Sequence, residues 1–287
     1  KADGLAAGKG VVVAHETAEA LGAIDALMVR RAYGDAGARV LIEEKLDGDE
    51  VSVLAFVHGA YVCPLLPARD FKRAADGDTG PNTGGMGAVA PTPLPTDVMD
   101  QITAQILEPA AAAMAADGCP FVGVLYAGIM LTPTGPQVLE FNCRFGDPET
   151  QVILPLLDVP LADVLLDVIH GREMLLRWTT QSTVCVVLVS GGYPVQFRTG
   201  LPISGLEAGP NDVLVFHAGT GVRANNVVTA GGRVLNIVAR GASIPQASDR
   251  AYAAIRGIRF DAMQYRRDIG RSVAVTPGAP AIAGGGM

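Results

Sequence analysis

The stretch LEFNCRFGDPETQ, residues 139–151, concentrates acid, amide and guanidinium groups at strand spacing. Side chains two apart on a strand share a face, so Glu140, Asn142 and Arg144 point one way and Phe141, Cys143 and Phe145 the other. Burying three polar groups on one face is costly without a ligand. Glu and Asn supply the hard oxygen donors that magnesium prefers, and this ion completes its shell with phosphate and water. Arg144 can clamp a phosphate or a carboxylate in a fork. A solvated strand face with an incidental charge pair is the plainer alternative.

Two further stretches have nucleotide chemistry within reach. In KADGLAAGKG, Gly4 is followed after three residues by Gly8, then Lys9 and Gly10, with no Ser or Thr to hold magnesium, so the loop fails the GxxxxGK[ST] pattern. It leads into a predicted strand, and turn N–H groups with Lys1 and Lys9 would supply the positive field for phosphates. An ordinary hairpin turn fits the same residues. In IEEKLDGDE, Glu43 can accept from an exocyclic amine, the backbone near Leu46 can face a ring nitrogen, and Glu50 can hold ribose hydroxyls. Taken in isolation, the segment reads better as an acidic solvated turn.

The elements that must position these groups are legible in outline. The chain has 287 residues, 49% hydrophobic and 18% charged, enough for one large or two to three smaller domains with a sizeable core. A formal charge of −7 without clustered Lys and Arg argues against a nucleic-acid surface. The longest apolar candidate, Val184 to Val189, is far short of a bilayer span. Cys63, Cys119, Cys143 and Cys185 lack metal-ligand or framework spacing, which predicts reduced thiols in a cytoplasmic chain.

Strands are predicted at Val11–Ala14 and Arg39–Glu44, with a helix between them whose inward face is Ala20, Leu21, Ile24, Leu27 and Met28. VSVLAFV and YVCPLL follow as a hairpin. Residues 68–95, rich in Gly, Pro and charge, read as a long loop, disordered or functional. A helix capped by Thr96 turns Val98, Met99, Ile102, Ile106 and Leu107 inward, with a kink at Pro109 and a stop at Gly118. FVGVLYAGIML and QVLEFNCRF form two strands. Asp158 caps a helix with Leu161, Val164, Leu165, Val168 and Ile169 inward, ending at Gly171. From about Thr180, short strands and Gly-rich turns suggest a β-rich module with one late helix near Pro245–Ile255.

KADGLAAGKGV, DTGPNTGGMGA, EFNCRFGDPETQ, GGYP, VFHAGT and YRRDIG occur in this order in the phosphoribosylamine-glycine ligases, also called glycinamide ribonucleotide synthetases. Across residues 1–272 the chain resembles that family of the ATP-grasp superfamily. The resemblance implies an α/β (α+β) fold: ATP-grasp lobes with mixed or antiparallel sheets, then a small β-rich C-terminal domain. The expected divisions are a partial small lobe at 1–62, a core lobe at 63–178, the β-rich domain at 179–272 and a disordered tail at 273–287.

By the same resemblance, Glu140 and Asn142 bind Mg²⁺ or Mn²⁺, and Lys1, Gly8, Lys9 and Gly10 bind the phosphates of ATP. Glu43, Glu44, Leu46 and Glu50 are implied as adenosine contacts, and Asp70, Lys72 and Gly85 as substrate contacts. Asp147 joins Asp70 at the ammonium of glycine, and Arg144 faces the carboxylate or acyl phosphate. Ala68, Arg69 and Phe71 depart from the Ser, Gln and His or Tyr of many members, so hydrogen bonds from those side chains are not carried over.

The implied reaction joins glycine to 5-phosphoribosylamine through glycyl phosphate, in a cytoplasmic monomer without nucleic-acid or membrane partners. Another purine-pathway ATP-grasp enzyme, a carboxylase or formate-dependent transformylase, is the alternative, as is an ATP-binding fragment without catalysis. In the family an N-terminal α/β domain and part of the grasp lobe precede the opening lysine. The expectation is therefore an incomplete cleft with little turnover.

Overall fold

The computed structural model describes residues 1–6, 10–206 and 212–271. Gly8, Lys9 and the tail at 273–287 lie outside these residues. Helix α1 (Thr17–Ile24) forms where the periodicity places it and runs on through one wide turn, Asp25–Val29. Its inward face is narrower than expected, with Leu27 buried but Leu21 and Met28 exposed. The strands expected at Val11–Ala14 and Arg39–Glu44 do not form. A strand needs a neighbour for its amides. Residues 1–4 instead make single bonds along 36–41: Asp3 N–H to Arg39 O, Gly4 N–H to Ala36 O and Leu41 N–H to Lys1 O. Val11, Val12, Val13 and Ile42 stay exposed.

The expected hairpin is β1 (Asp49–His58) and β2 (Tyr61–Pro64). Residues 68–95 do not form a structureless loop: they hold β3 (Arg69–Asp70), β4 (Arg73–Ala75), β5 (Thr79–Asn82) and β6 (Gly87–Ala90). Short strands escape detection by period because two to four residues hold barely one alternation. Helix α2 (Thr96–Ile102) begins at Thr96 with Pro95 in the capping position, and a wide turn at Thr103–Leu107 leads into α3 (Glu108–Ala116). Pro109 comes just after that wide turn, where the regular i→i−4 ladder is already interrupted.

Strands β7 (Val122–Thr132) and β8 (Gly135–Asn142) complete an antiparallel sheet of order β2-β1-β7-β8. Alternation sends Val51, Val53, Ala55 and Val57 of β1, with Leu125, Ala127, Ile129 and Leu131 of β7, to one face. Ile102, Ile106, Leu107 and Ala111 cover that face.

After β8 come the short α4 (Glu149–Ile153) and α5 (Leu161–His170), the latter ended by Gly171 in the left-handed region. Pro160, not Asp158, holds the cap position of α5, and the Asp158 N–H is bonded to Arg177 O. Ile169 is exposed, so the buried stripe of α5 is Val164 and Val168, flanked by Leu161 and Leu165.

The C-terminal strands are β9 (Ser182–Val189), β10 (Val213–His217), β11 (Thr220–Arg223), β12 (Asn226–Thr229) and β13 (Arg233–Gly241), followed by α6 (Ile244–Ile255). Their main sheet has the order β10-β13-β9-β6-β3, so it takes strands from both sides of residue 179. Ala247, Ala251 and Ile255 of α6 pack with Val186, Leu188, Leu235 and Ile237 from the sheet. Among the described residues, no helix is long and apolar enough to cross a membrane.

Ile129 is fully buried between the first sheet and its covering helices. Ile129→Ala is expected to lower unfolding stability by about 2–5 kcal/mol, read from urea midpoints at constant slope.

Candidate active site

The face of the first sheet turned away from α2 and α3 is polar at one end. Ser52 lies opposite Gly128, and Leu54 opposite Tyr126, which fixes Glu50, Ser52 and Tyr126 on this side. Asn142 pairs with Tyr126 and Glu140 with Gly128, which extends the same face onto β8. A bulge makes this possible: the register shifts between Gly128 and Ile129, so Val138 pairs with Ile129 and Leu139 is the extra residue. Val138 thereby faces the helices while Glu140 faces the polar side. Asn142 Nδ2 donates to Glu140 Oε1 at 3.4 Å, and Arg144 donates to Asn142 Oδ1 at 3.4 Å and Phe145 O at 2.9 Å.

Beside this face lies a desolvated acid cluster. The Lys72 ammonium donates to Glu50 Oε1 and lies 3.3 Å from Asp70 Oδ2. Asp70 Oδ1 is buried without a hydrogen-bond partner. Burial pushes the Asp70 carboxyl up to about 7; Lys72 opposes the shift, while Glu149 and Glu50 add to it. Burial works against charge on Lys72, but Asp70 and Glu50 overcome it and hold the ammonium well above its ordinary pKa. Glu149, only 3% exposed, accepts from Ser52 Oγ at 3.1 Å and the Tyr126 hydroxyl at 2.9 Å. Burial also raises the Tyr126 phenol, which stays a neutral donor.

A guanidinium from the other sheet closes the cluster. Arg233 Nη1 donates to Gly84 O at 2.6 Å and Asp147 O at 2.7 Å, and reaches Asp147 Oδ1 at 3.3 Å. Asn236 Nδ2 also donates to Asp147 Oδ1 at 3.3 Å, leaving its own buried Oδ1 without a partner. Gly85 has φ +112°, and a Cβ there would sit 2.5 Å from Pro148 Cδ and 2.8 Å from Asp70 Oδ1. Only glycine permits that approach.

The fold therefore gathers Glu50, Asp70, Lys72, Gly85 and Asp147 around one cluster, and Glu140, Asn142 and Arg144 on the neighbouring edge strand. Glu50, read from sequence with the adenosine contacts, is the partner of Lys72. Lys1 pairs with Glu43 at 3.0 Å and Gly10 O accepts from Ala2 N–H, so the opening loop is described only at its ends. Glu44 is exposed and Leu46 half-buried, and neither lies in a strand. Sequence reasoning missed Ser52, Tyr126, Glu149, Arg233 and Asn236. A serine inside the apolar run VSVLAFV and the acid inside RFGDPETQ were the available signals for two of them. Arg233 and Asn236 gave none, because their partner Asp147 is 86 and 89 residues away in sequence.

The described residues contain no group of three or more His, Cys, Asp or Glu placed to hold a metal. Glu140 and Asn142 offer two hard oxygen donors on one exposed or half-exposed face, linked to each other only by a long bond. This donor set fits an ion that takes most of its shell from phosphate and water.

Residues 1–150 match the family described as phosphoribosylglycinamide synthetase, ATP-grasp (A) domain, and residues 183–272 match its C domain. The chain is 49% identical over 271 residues to a phosphoribosylamine–glycine ligase of Halalkalibacterium halodurans, covering 94% of this chain and 63% of that protein. It is 52% identical over 276 residues to one of Synechocystis, covering 94% and 65%. The chain thus spans under two thirds of the length of these relatives. The crystal structure of a Thermotoga maritima phosphoribosylamine–glycine ligase superposes with a TM-score of 0.83 at 35% identity, over 93% of this chain and 67% of that one. The biotin carboxylase domain of a Hydrogenobacter thermophilus 2-oxoglutarate carboxylase shares the fold, with a TM-score of 0.67 at 12% identity, over 90% of this chain and 56% of that one.

The raised Asp70 pKa has a stability signature. Between about pH 4 and 7 the folded chain keeps a proton on Asp70 that the unfolded chain has lost, so stability falls as pH rises through this window. Asp70→Asn is expected to flatten that slope, with urea midpoints at pH 4, 5.5, 7 and 8 as the measurement.

Proposed function

The chain belongs to the phosphoribosylglycinamide synthetase family, and from that premise we propose that it carries the site of an ATP-dependent ligase joining glycine to 5-phosphoribosylamine. The observation that carries this reading is the polar face shared by Ser52, Tyr126, Glu140 and Asn142, which borders a buried Asp70 with an unpartnered oxygen.

A carboxylate does not acylate an amine at useful rates, since its charge repels the nucleophile and oxide is a poor leaving group. Phosphorylation of the glycine carboxylate by ATP gives glycyl phosphate and ADP. The amine then attacks the carbonyl carbon, the C–O bond to phosphate breaks, and glycinamide ribonucleotide forms with loss of a proton. Such a path needs alignment and charge neutralisation more than a protein nucleophile.

In this reading Asp70 Oδ1 and Asp147 receive the glycine ammonium, and Lys72 and Arg144 face the carboxylate and the transferring phosphoryl group. Glu149 holds the Tyr126 and Ser52 hydroxyls so that neither competes for Asp70. Glu140 and Asn142 are the residues that would hold Mg²⁺. That ion would supply charge neutralisation on the ATP phosphates. Lys1 and Gly10, with Gly8 and Lys9, belong to the phosphate loop, and Glu43, Glu44 and Leu46 to the adenosine edge.

The test is ADP formation by the full-length protein that requires both glycine and 5-phosphoribosylamine. Glu140→Gln is expected to lower kcat/KM at least about a hundredfold. ADP release indifferent to either substrate would overturn the ligase reading, and near-normal rates in Glu140→Gln would overturn the metal assignment.

A further inference from the structure

Lys72 and Gly85 are separated by an excursion of the chain, the hairpin β4–β5, which forms a two-stranded sheet of its own. A lone two-stranded hairpin is marginal in water. What holds this one is the segment 266–268, far away in sequence. Arg266 is 1% exposed, the largest fully buried side chain of the described residues. Its guanidinium donates to Asp78 Oδ1 at 2.6 Å and to Arg73 O at 3.2 Å, and to both Asp268 oxygens at 2.8 and 2.6 Å. Its Cζ lies 5.1 Å from the centre of the Phe71 ring. Asp268 Oδ2 accepts from Gly77 N–H at 2.9 Å, and Asp76 Oδ1 accepts from Arg267 N–H at 2.7 Å.

Arg266 therefore grips the chain on both sides of Lys72, at the Phe71 ring and at the Arg73 carbonyl. Phe71 N–H in turn bonds Gly87 O, and Thr83 N–H bonds Lys72 O, which carries the same register to Gly84 and Gly85. Arg69 adds a second guanidinium 5.5 Å from the Phe71 ring and ion-pairs with Asp49 at 3.7 Å. The buried ring at position 71, which departs from the residue of many family members, is the surface on which both cations lie. Lysine cannot replace this fork, since it offers a point charge without the planar donors.

We infer that Arg266 is a positioning residue for the substrate cluster: by keying the β4–β5 hairpin to the C-terminal segment it sets Lys72 and Gly85 against Asp70. The inference rests on the reading of Asp70 and Lys72 as glycine contacts. Removing a buried guanidinium can unfold a chain, so the primary variant is Asp78→Asn. Asp78 is half-exposed and has φ +53°, a conformation Asn tolerates, and Arg266 keeps Asp268 in this variant.

In the full-length protein, Asp78→Asn is expected to raise KM for glycine about tenfold and Arg266→Met about a hundredfold, with KM for ATP within twofold of wild type. Arg266→Lys should fall between wild type and Arg266→Met. Amide hydrogen exchange, which needs no turnover, should accelerate at residues 73–85 in Asp78→Asn and stay unchanged in β9 and β13. If wild type shows no glycine-dependent turnover the ligase reading fails, while the exchange result still decides the coupling. Wild-type KM for glycine and wild-type exchange in Asp78→Asn would overturn the inference. So would a loss of kcat and of ATP and glycine affinity together in step with a lowered unfolding midpoint, which marks a purely structural residue.

Discussion

A carboxylate withdrawn from water next to an ammonium it must share is the constraint on which this structure turns. Lys72 serves Asp70 and Glu50 together, so neither acid is fully neutralised. Such a cluster persists only if its surroundings leave no looser arrangement. Tyr126 and Ser52 occupy Glu149, Arg233 and Asn236 occupy Asp147, and Gly85 brings the backbone against the one Asp70 oxygen left over. The apolar face of the same sheet buries Val51, Val53, Ala127 and Ile129 under α2 and α3 and so anchors β1 and β7 beneath the cluster.

Much of this was legible wherever a segment is long enough to show its period. The α2–α3 face, the β1–β2 hairpin and the strands β7, β9 and β13 follow from apolar spacing, and the family follows from ordered motifs. What escaped has common physical causes. Residues 69–90 alternate too briefly to register, and their burial comes from β9, about a hundred residues on in the chain. At the other extreme, Val11–Ala14 and Arg39–Glu44 have strand composition but form no ladder, since propensity without a partner does not satisfy a backbone.

The candidate site divides the same way. Glu140, Asn142 and Arg144 were readable because one strand presents them together, although strict alternation would have put Val138 on their side as well; the bulge at Leu139 separates them. Asp70, Lys72 and Asp147 were reached through the family motifs. Arg233 and Asn236 were invisible because each acts on a residue 86 or 89 positions away, and Arg266, although it stands in the quoted YRRDIG motif, showed no role because its partner Arg73 is 193 positions away. Chemistry concentrated in a motif is easy to see, whereas the groups that aim it are scattered through the chain.

The sheet β10-β13-β9-β6-β3 has a further consequence for how such a chain could be divided or recombined. Since β6 lies between β9 and β3, a cut near residue 179 would strip hydrogen-bond partners from both pieces at once, leaving each with a raw edge. The C-terminal strands are thus built into the same sheet as β3 and β6. Exchanging this module would exchange Arg233 and Arg266 as well, and with them the contacts to Gly84 and to the Arg73 carbonyl beside Lys72.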